Sequence, residues 1–288
     1  MTRRRIAAVT FDAAGTLIEV AEPVGATYAR IARRHGLSAV PARVERAFHA
    51  ALAAAPPLAF PDSPPAGRLR RERAWWRTIV HAALGTPPRG HAFTACFADL
   101  WAHYAAPEAW RVFPEVRAVL AALRARGLRL AAVSNFDRRL PPLLATLGLA
   151  EHLDAVVHST AVGAAKPDAG IFAAAAAALG VPLAAVVHVG DSLEADAAGA
   201  LAAGARAVLL DRRGRSRSVP PGVAIVRTLA ALPGLLGVDV DEQAADGHAR
   251  RRLVAPRLRR GKPRTEDEAR ARPLHLGHED PRPSRQRR

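Results

Sequence analysis

A chain of 288 residues, half of them apolar, is long enough for one sizeable buried core and a smaller second unit. The formal charge of +16 suggests a polyanionic partner only until it is located: residues 245–288 hold 14 Arg and Lys against 6 Asp and Glu, which is half of the excess. One cysteine, Cys96, excludes an intrachain disulfide and a cysteine-based metal site, and fits a reducing, cytoplasmic compartment.

In chain order, Ile6 to Phe11 reads as a first strand. The basic start, Met1-Thr-Arg-Arg-Arg, resembles an export signal, but Asp12 and the turn residues after it cut the apolar stretch short. About a hundred residues separate this strand from the next, too many for one crossover, so an inserted domain is expected. The insert reads helical throughout, with helices over Val24 to His35, Val44 to Ala54, Arg68 to Leu84 and Phe93 to Tyr104, and a Pro-rich loop from Pro56 to Pro65. Trp75, Trp76, Trp101 and Trp110 all fall in the insert or at its exit and are expected to fill the core of a small bundle.

Beyond the insert, strands are expected over Leu128 to Ser134, Ala155 to His158, Ala185 to Val189, Ala207 to Leu210 and Val223 to Val226, separated by Ala/Leu-rich helical segments. Such βα alternation gives a parallel sheet covered on both faces. The longest apolar run, Ile171 to Val187, is broken by Gly180 and Pro182 into a helix and a strand, so no membrane segment is expected. The expected organisation is an α/β, Rossmann-like core over 1–18 and 111–240, a helical cap over 19–110, and an Arg/Pro-rich tail over 241–288. The tail has too few aromatic and β-branched residues to offset its ordering entropy and is expected to be disordered. Nucleic acid is not expected as a partner except through that tail.

Four short segments carry chemistry. Phe11-Asp12-Ala13-Ala14-Gly15-Thr16-Leu17 sets a carboxylate at the C-terminal end of the first strand, where open α/β sheets bind ligands. Ser134-Asn135-Phe136-Asp137 offers a hydroxyl and backbone amides at the equivalent edge, suited to anionic oxygens. Lys166 is one of two lysines among 42 basic residues, which points to a need for a compact point charge. Gly190-Asp191-Ser192-Leu193-Glu194-Ala195-Asp196 places two carboxylates at a strand end, a setting for a hard divalent ion.

In order and spacing these segments resemble the four motifs of the haloacid dehalogenase superfamily of hydrolases, over roughly residues 4 to 212, and their wording is most similar to its rhythmically-expressed-gene branch. The resemblance implies a magnesium-dependent phosphatase of a small phosphorylated metabolite. Asp12 would be the nucleophile, and Thr16, Ser134 and the Asn135 backbone would hold phosphoryl oxygens, which Lys166 would neutralise. Asp12, the Ala14 carbonyl and Asp191 would bind Mg²⁺, and Asp196 would orient Lys166 or the metal waters.

Family phosphatases usually carry a second aspartate two residues after the nucleophile, as acid and base for the leaving group and water; this chain has Ala14. The leaving group then needs no acid, or Glu19, Glu22 or Asp137 replaces it. Cleavage of carbon–phosphorus bonds through a cap lysine is excluded, because no lysine lies between Ile18 and Trp110. A 2-haloacid dehalogenase is disfavoured, because Asp191 and Asp196 beside Asp12 would repel a carboxylate substrate. A module that binds a phosphorylated ligand or a protein partner without turnover is the remaining alternative.

Overall fold

The computed structural model describes residues 5–85, 90–216 and 218–237, so the tail expected over 241–288 lies outside the described residues. The first strand, β1 (Ala8–Phe11), is followed by a short strand β2 (Ile18–Val20), the helices α1 (Val24–Arg34), α2 (Pro41–Ala54), α3 (Pro65–Leu84) and α4 (His91–His103), and β3 (Trp110–Val112). Strands and helices then alternate: α5 (Val116–Ala125), β4 (Arg129–Ser134), α6 (Leu140–Thr146), β5 (Ala155–His158), the single turn α7 (Ser159–Val162), α8 (Ala169–Leu179) and β6 (Val186–Gly190). A π-helical turn, Leu193–Ala198, runs into α9 (Gly199–Ala203), followed by β7 (Arg206–Leu210), β8 (Ala224–Val226) and α10 (Leu232–Leu235).

Six strands pair in parallel in the order β5-β4-β1-β6-β7-β8. Both faces are covered, which is why the strands read as continuous Val/Ala/Leu runs rather than as alternating ones. Leu120 and Leu123 of α5 and Leu140 and Leu144 of α6 seal one face; Ile171, Phe172 and Ala176 of α8 seal the other. A fully buried leucine contributes about 1.5–3 kcal/mol over an exposed one, so these stripes fix which face of each helix meets the sheet. Asp168 caps α8 by accepting from the Gly170 N–H at 2.7 Å, and Gly180, in the left-handed region, ends it. From β1 the chain moves outward through β4 and β5, then returns to the other side of β1 for β6, β7 and β8. The C-terminal ends of β4, β1 and β6 therefore border the point where strand order reverses, the crevice in which such sheets bind ligands.

The insert packs on its own apolar cluster. Val24, Tyr28, Ile31 and Ala32 make one stripe of α1 and meet Val44 and Phe48 of α2, Ile79 and Val80 of α3, and Phe93, Cys96, Phe97 and Leu100 of α4. Burial pushes the Cys96 thiol up to about 11, which suits an inert filler. Two expectations need correction. The insert is not helical throughout, because β2 and β3 pair antiparallel, Ile18 against Val112 and Val20 against Trp110, and tie its start to its exit. Strands of three residues carry no readable alternation. The four tryptophans do not fill the bundle's interior either; all are half-buried and line a cavity between the helices and the sheet edge. No helix among the described residues is long and apolar enough to cross a membrane.

Candidate active site

Asp12 is the first residue past β1, and its N–H still donates to the Val189 carbonyl of β6 at 2.9 Å, so the sheet itself holds the carboxylate in place. Ser134 ends β4 on one side and Asp191 follows β6 on the other. Lys166 reaches in from the loop before α8 and donates to Asp12 Oδ1 at 2.6 Å and to Asp196 Oδ1 at 2.5 Å. Its backbone is fixed by the Asn135 side chain, which accepts from the Lys166 N–H at 2.7 Å and donates to the Lys166 carbonyl at 2.9 Å. A long, flexible side chain is thereby ordered before any substrate arrives. Burial opposes the ammonium charge, but the Asp12 and Asp196 carboxylates outweigh it and keep Lys166 protonated.

Carboxylate oxygens of Asp12, Asp191 and Asp196 lie within 4.8 Å of one another, and Lys166 pairs with Asp12 and Asp196, so with all three acids ionised the formal excess is two negative charges. Burial and the Asp196 charge raise Asp12 above the ordinary carboxylate range despite Lys166. Two such charges at 4.8 Å repel by roughly 3 kcal/mol at an effective dielectric of 20. Asp191 keeps an exposed surface at the crevice, but desolvation by the surrounding walls, with the charges of Asp12 and Asp196, pushes its carboxyl up to about 6. Burial also opposes the charge on Asp196, but Lys166 and the hydrogen bond from His188 outweigh it and hold that carboxyl well below the usual range. Both oxygens of Asp196 are engaged, Oδ1 by Lys166 and His188 and Oδ2 by the Ser192 N–H at 2.9 Å, so it anchors the lysine. Asp12, Asp191 and the carbonyl of Ala14, a residue that borders the cavity, remain as an all-oxygen set whose uncompensated charge fits a hard divalent cation such as magnesium.

Gly15 makes this proximity possible. Its φ is +94°, and a Cβ there would stand 2.4 Å from Asp191 Oδ2. If Asp191 is a ligand, saturating magnesium is expected to raise the melting temperature of the wild type by roughly 5–10 °C at a hundredfold excess over Kd. Asp191→Asn and Gly15→Ala are each expected to lose that rise, which differential scanning fluorimetry with and without chelator measures.

Sequence reasoning reads His188 as packed rather than catalytic, which its burial matches, but it does not foresee that residue's partners, and it misses Arg212. His188, 1% exposed, lies opposite Thr10 in the β1–β6 register, with Nδ1 2.9 Å from the Thr10 hydroxyl and Nε2 3.1 Å from Asp196 Oδ1. An ionised Asp196 can only accept, so Nε2 carries the proton and Nδ1 accepts from Thr10. Burial holds the imidazole below its ordinary pKa, and the neutral ring steadies Asp196. A polar pair facing each other inside two apolar strands was the available signal. Arg212, after β7, donates to the Thr16 carbonyl at 3.0 Å and to Glu115 at 2.7 Å, and its guanidinium lies 3.6 Å from the centre of the Phe113 ring. It holds the loop that follows Asp12 across 196 residues of sequence, and nothing separated it from the other arginines beforehand.

Other expectations change. The Thr16 side chain is fully buried, and its hydroxyl has no hydrogen-bond partner among the described residues, so it does not face a substrate as expected. Asp137 is no substitute acid, because Arg139 binds it at 2.9 and 2.7 Å, the Arg139 N–H at 3.0 Å and Trp76 Nε1 at 2.7 Å, which occupies both oxygens. Glu22 is bound by Thr27 and Arg30. Of the three, only Glu19 faces the cavity.

The cavity measures about 870 Å³, within the range of small-molecule sites. Ala14, Gly15, Asn135 and Asp191 line it, together with aromatic residues of the insert.

A family model described as haloacid dehalogenase-like hydrolase matches residues 6–204. The mouse (Mus musculus) haloacid dehalogenase-like hydrolase domain-containing protein 3 is 39% identical over 210 residues, 72% of this chain and 83% of that protein. A phosphoglycolate phosphatase of Cupriavidus necator is 44% identical over 130 residues, 43% of this chain and 55% of its own length. Among solved structures, the L-2-haloacid dehalogenase of Xanthobacter autotrophicus with chloropropionic acid covalently bound superposes with a TM-score of 0.60 at 21% identity, covering 81% of this chain and 98% of that one, a likeness of fold alone. With the parallel sheet, the acids at its crevice and the matched span, this chain belongs to the haloacid dehalogenase-like hydrolases.

Proposed function

We propose that the chain is a magnesium-dependent phosphatase that hydrolyses a small phosphorylated metabolite through an aspartyl-phosphate on Asp12. The observation that carries this reading is the pairing of a buried, strand-fixed carboxylate with one ordered lysine and an excess of two negative charges beside it. A dianionic phosphoryl group needs cations around it, and a cation in the acidic cradle completes the set.

Bound magnesium, held by Asp12, Asp191 and the Ala14 carbonyl, would neutralise charge on the phosphoryl oxygens. The free oxygen of Asp12 attacks phosphorus in line, the bond to the leaving oxygen breaks, and an acyl phosphate forms. The Ser134 hydroxyl and backbone amides at Asn135 donate to the phosphoryl oxygens, while Lys166 stabilises the charge that develops. Water then attacks the same phosphorus, releasing phosphate and restoring Asp12. At Ala14 a methyl group faces the leaving group, so departure proceeds without a proton donor at that place.

The phosphoglycolate phosphatase relative supports phosphoryl chemistry. A 2-haloacid as substrate is disfavoured, since Asp191 and Asp196 beside Asp12 repel its carboxylate unless a cation sits between them. The single buried cysteine suits a reducing cytoplasm. The deciding experiment is phosphate release by the wild type, with magnesium and with chelator, from acyl, aryl and sugar phosphates, with halide release from 2-haloacids as the contrast. Magnesium-dependent phosphate release and a trapped aspartyl-phosphate are expected. Tight phosphate binding with no trapped intermediate would mean the chain is a binding module that does not turn over.

A further inference from the structure

We propose that the substrate's leaving group is a planar aromatic ring, making the substrate class an aryl phosphate monoester; this rests on the phosphatase reading. Where Ala14, Gly15, Asn135 and Asp191 border the cavity, its walls include Trp75, Trp76, Trp101, Trp110, Tyr28 and Phe113, an unusual concentration for a chain with only 5% aromatic residues. Three of the four indole N–H groups are already spent within the protein: Trp75 on the Pro56 carbonyl at 2.9 Å, Trp76 on Asp137 at 2.7 Å and Trp110 on the Tyr104 carbonyl at 3.2 Å. These three indoles therefore present ring surface rather than donors, and such surface recognises another ring better than it recognises sugar hydroxyls.

The charges closest to those rings are also committed. Arg139 is bound to Asp137, with its guanidinium 3.8 Å from the centre of the Trp101 ring, and Arg212 is bound to Glu115 and the Thr16 carbonyl. Neither of these two is left to bind a second anionic group on the substrate; Arg213 and Arg215 also border the cavity, on the segment that follows β7.

Leaving-group chemistry points the same way. Ala14, which borders the cavity, carries no group that could protonate a departing oxygen. A phenolic oxygen, with a pKa near 10, leaves as the anion far more readily than an alkoxide, whose pKa is close to the roughly 15.7 of water. Ring stacking and unassisted departure thus select the same substrate.

The test separates the ring from the leaving group. Acetyl phosphate has a better leaving group than phenyl phosphate but no ring, so phenyl phosphate is expected to show a KM about 3–10-fold lower. Trp76→Leu is expected to reduce the ratio of kcat/KM for phenyl phosphate to that for acetyl phosphate about 3–10-fold, whereas Trp76→Phe, which loses the same N–H but keeps a ring, restores most of it. Phenylphosphonate is expected to bind the magnesium-loaded protein more tightly than methylphosphonate in calorimetry. Acetyl phosphate turned over with an equal or lower KM, a ratio unmoved by Trp76→Leu, or equal binding of the two phosphonates would overturn the aromatic assignment and leave the phosphatase standing. Hydrolysis of neither phosphate would remove the phosphatase reading, and the phosphonate comparison would still decide whether the walls select a ring.

Discussion

Asp12→Asn is expected to lower phosphate release by at least about 10⁴-fold, because the amide oxygen is a poor nucleophile and no acyl phosphate can form on it. Loss of the fold is not the reason to expect this. Lys166 keeps its 2.5 Å partner in Asp196, Asp196 keeps His188 and the Ser192 N–H, and the Asp12 backbone stays in the sheet through the Val189 carbonyl. The variant should therefore match the wild type in circular dichroism and in melting temperature under chelator, while radiolabelled phosphate, trapped on the wild type by acid quench, is absent from it. Residual activity of a tenth or more, with the label still bound elsewhere, would move the nucleophile off Asp12 and with it the mechanism.

How much of this site could be read from the sequence depends on whether a residue's role is set along the chain or across it. Asp12, Ser134, Lys166 and Asp191 stand at strand ends or in short loops after recognisable Val-rich runs, so their arrival at one edge follows once the sheet is parallel. The order β4-β1-β6 then makes them neighbours. Asp196 and its lysine partner were legible in the same way. His188 was not, because its meaning comes from a register in which Thr10 faces it and from the Asp196 carboxylate one turn away, and no local pattern encodes that pair. Arg212 is the extreme case: one arginine among 40 acts through contacts to Glu115 and to the loop behind Asp12. The tryptophans show a different limit. Their hydrophobicity predicts burial, but whether a large ring ends up inside a bundle or on the wall of its cavity depends on helix rotation of a few tens of degrees. The bundle's own core is already filled by Ile31, Val44, Ile79, Phe93 and Cys96, which leaves Trp75, Trp76 and Trp101 packed against it on the cavity wall. Asp137 read as a candidate replacement acid and is instead sealed among Arg139 and Trp76, because the loop after β4 folds under the insert.

Ala14→Asp is expected to raise the rate toward alkyl phosphates by roughly 10²- to 10³-fold, within the usual yield of general acid catalysis. Ala14 is exposed on the cavity wall and its backbone bridges to Ile18, so a carboxyl fits there without burial or backbone change. Its surroundings suit an acid: Asp12 and Asp191 are close by, and their charges raise the pKa of a new carboxyl, keeping a proton available for the leaving oxygen. Aryl phosphates, which leave unassisted, should gain much less, so the dependence of kcat/KM on leaving-group pKa should flatten in the variant. The measurement is that slope, taken across alkyl and aryl phosphates in both proteins, with the magnesium-induced melting shift as the control that the cradle survives. A retained shift with an unchanged slope would mean that proton donation was never what limited alkyl esters. Discrimination would then lie in the walls, where Trp76 and Trp101 offer an alkyl group contact area but no ring partner.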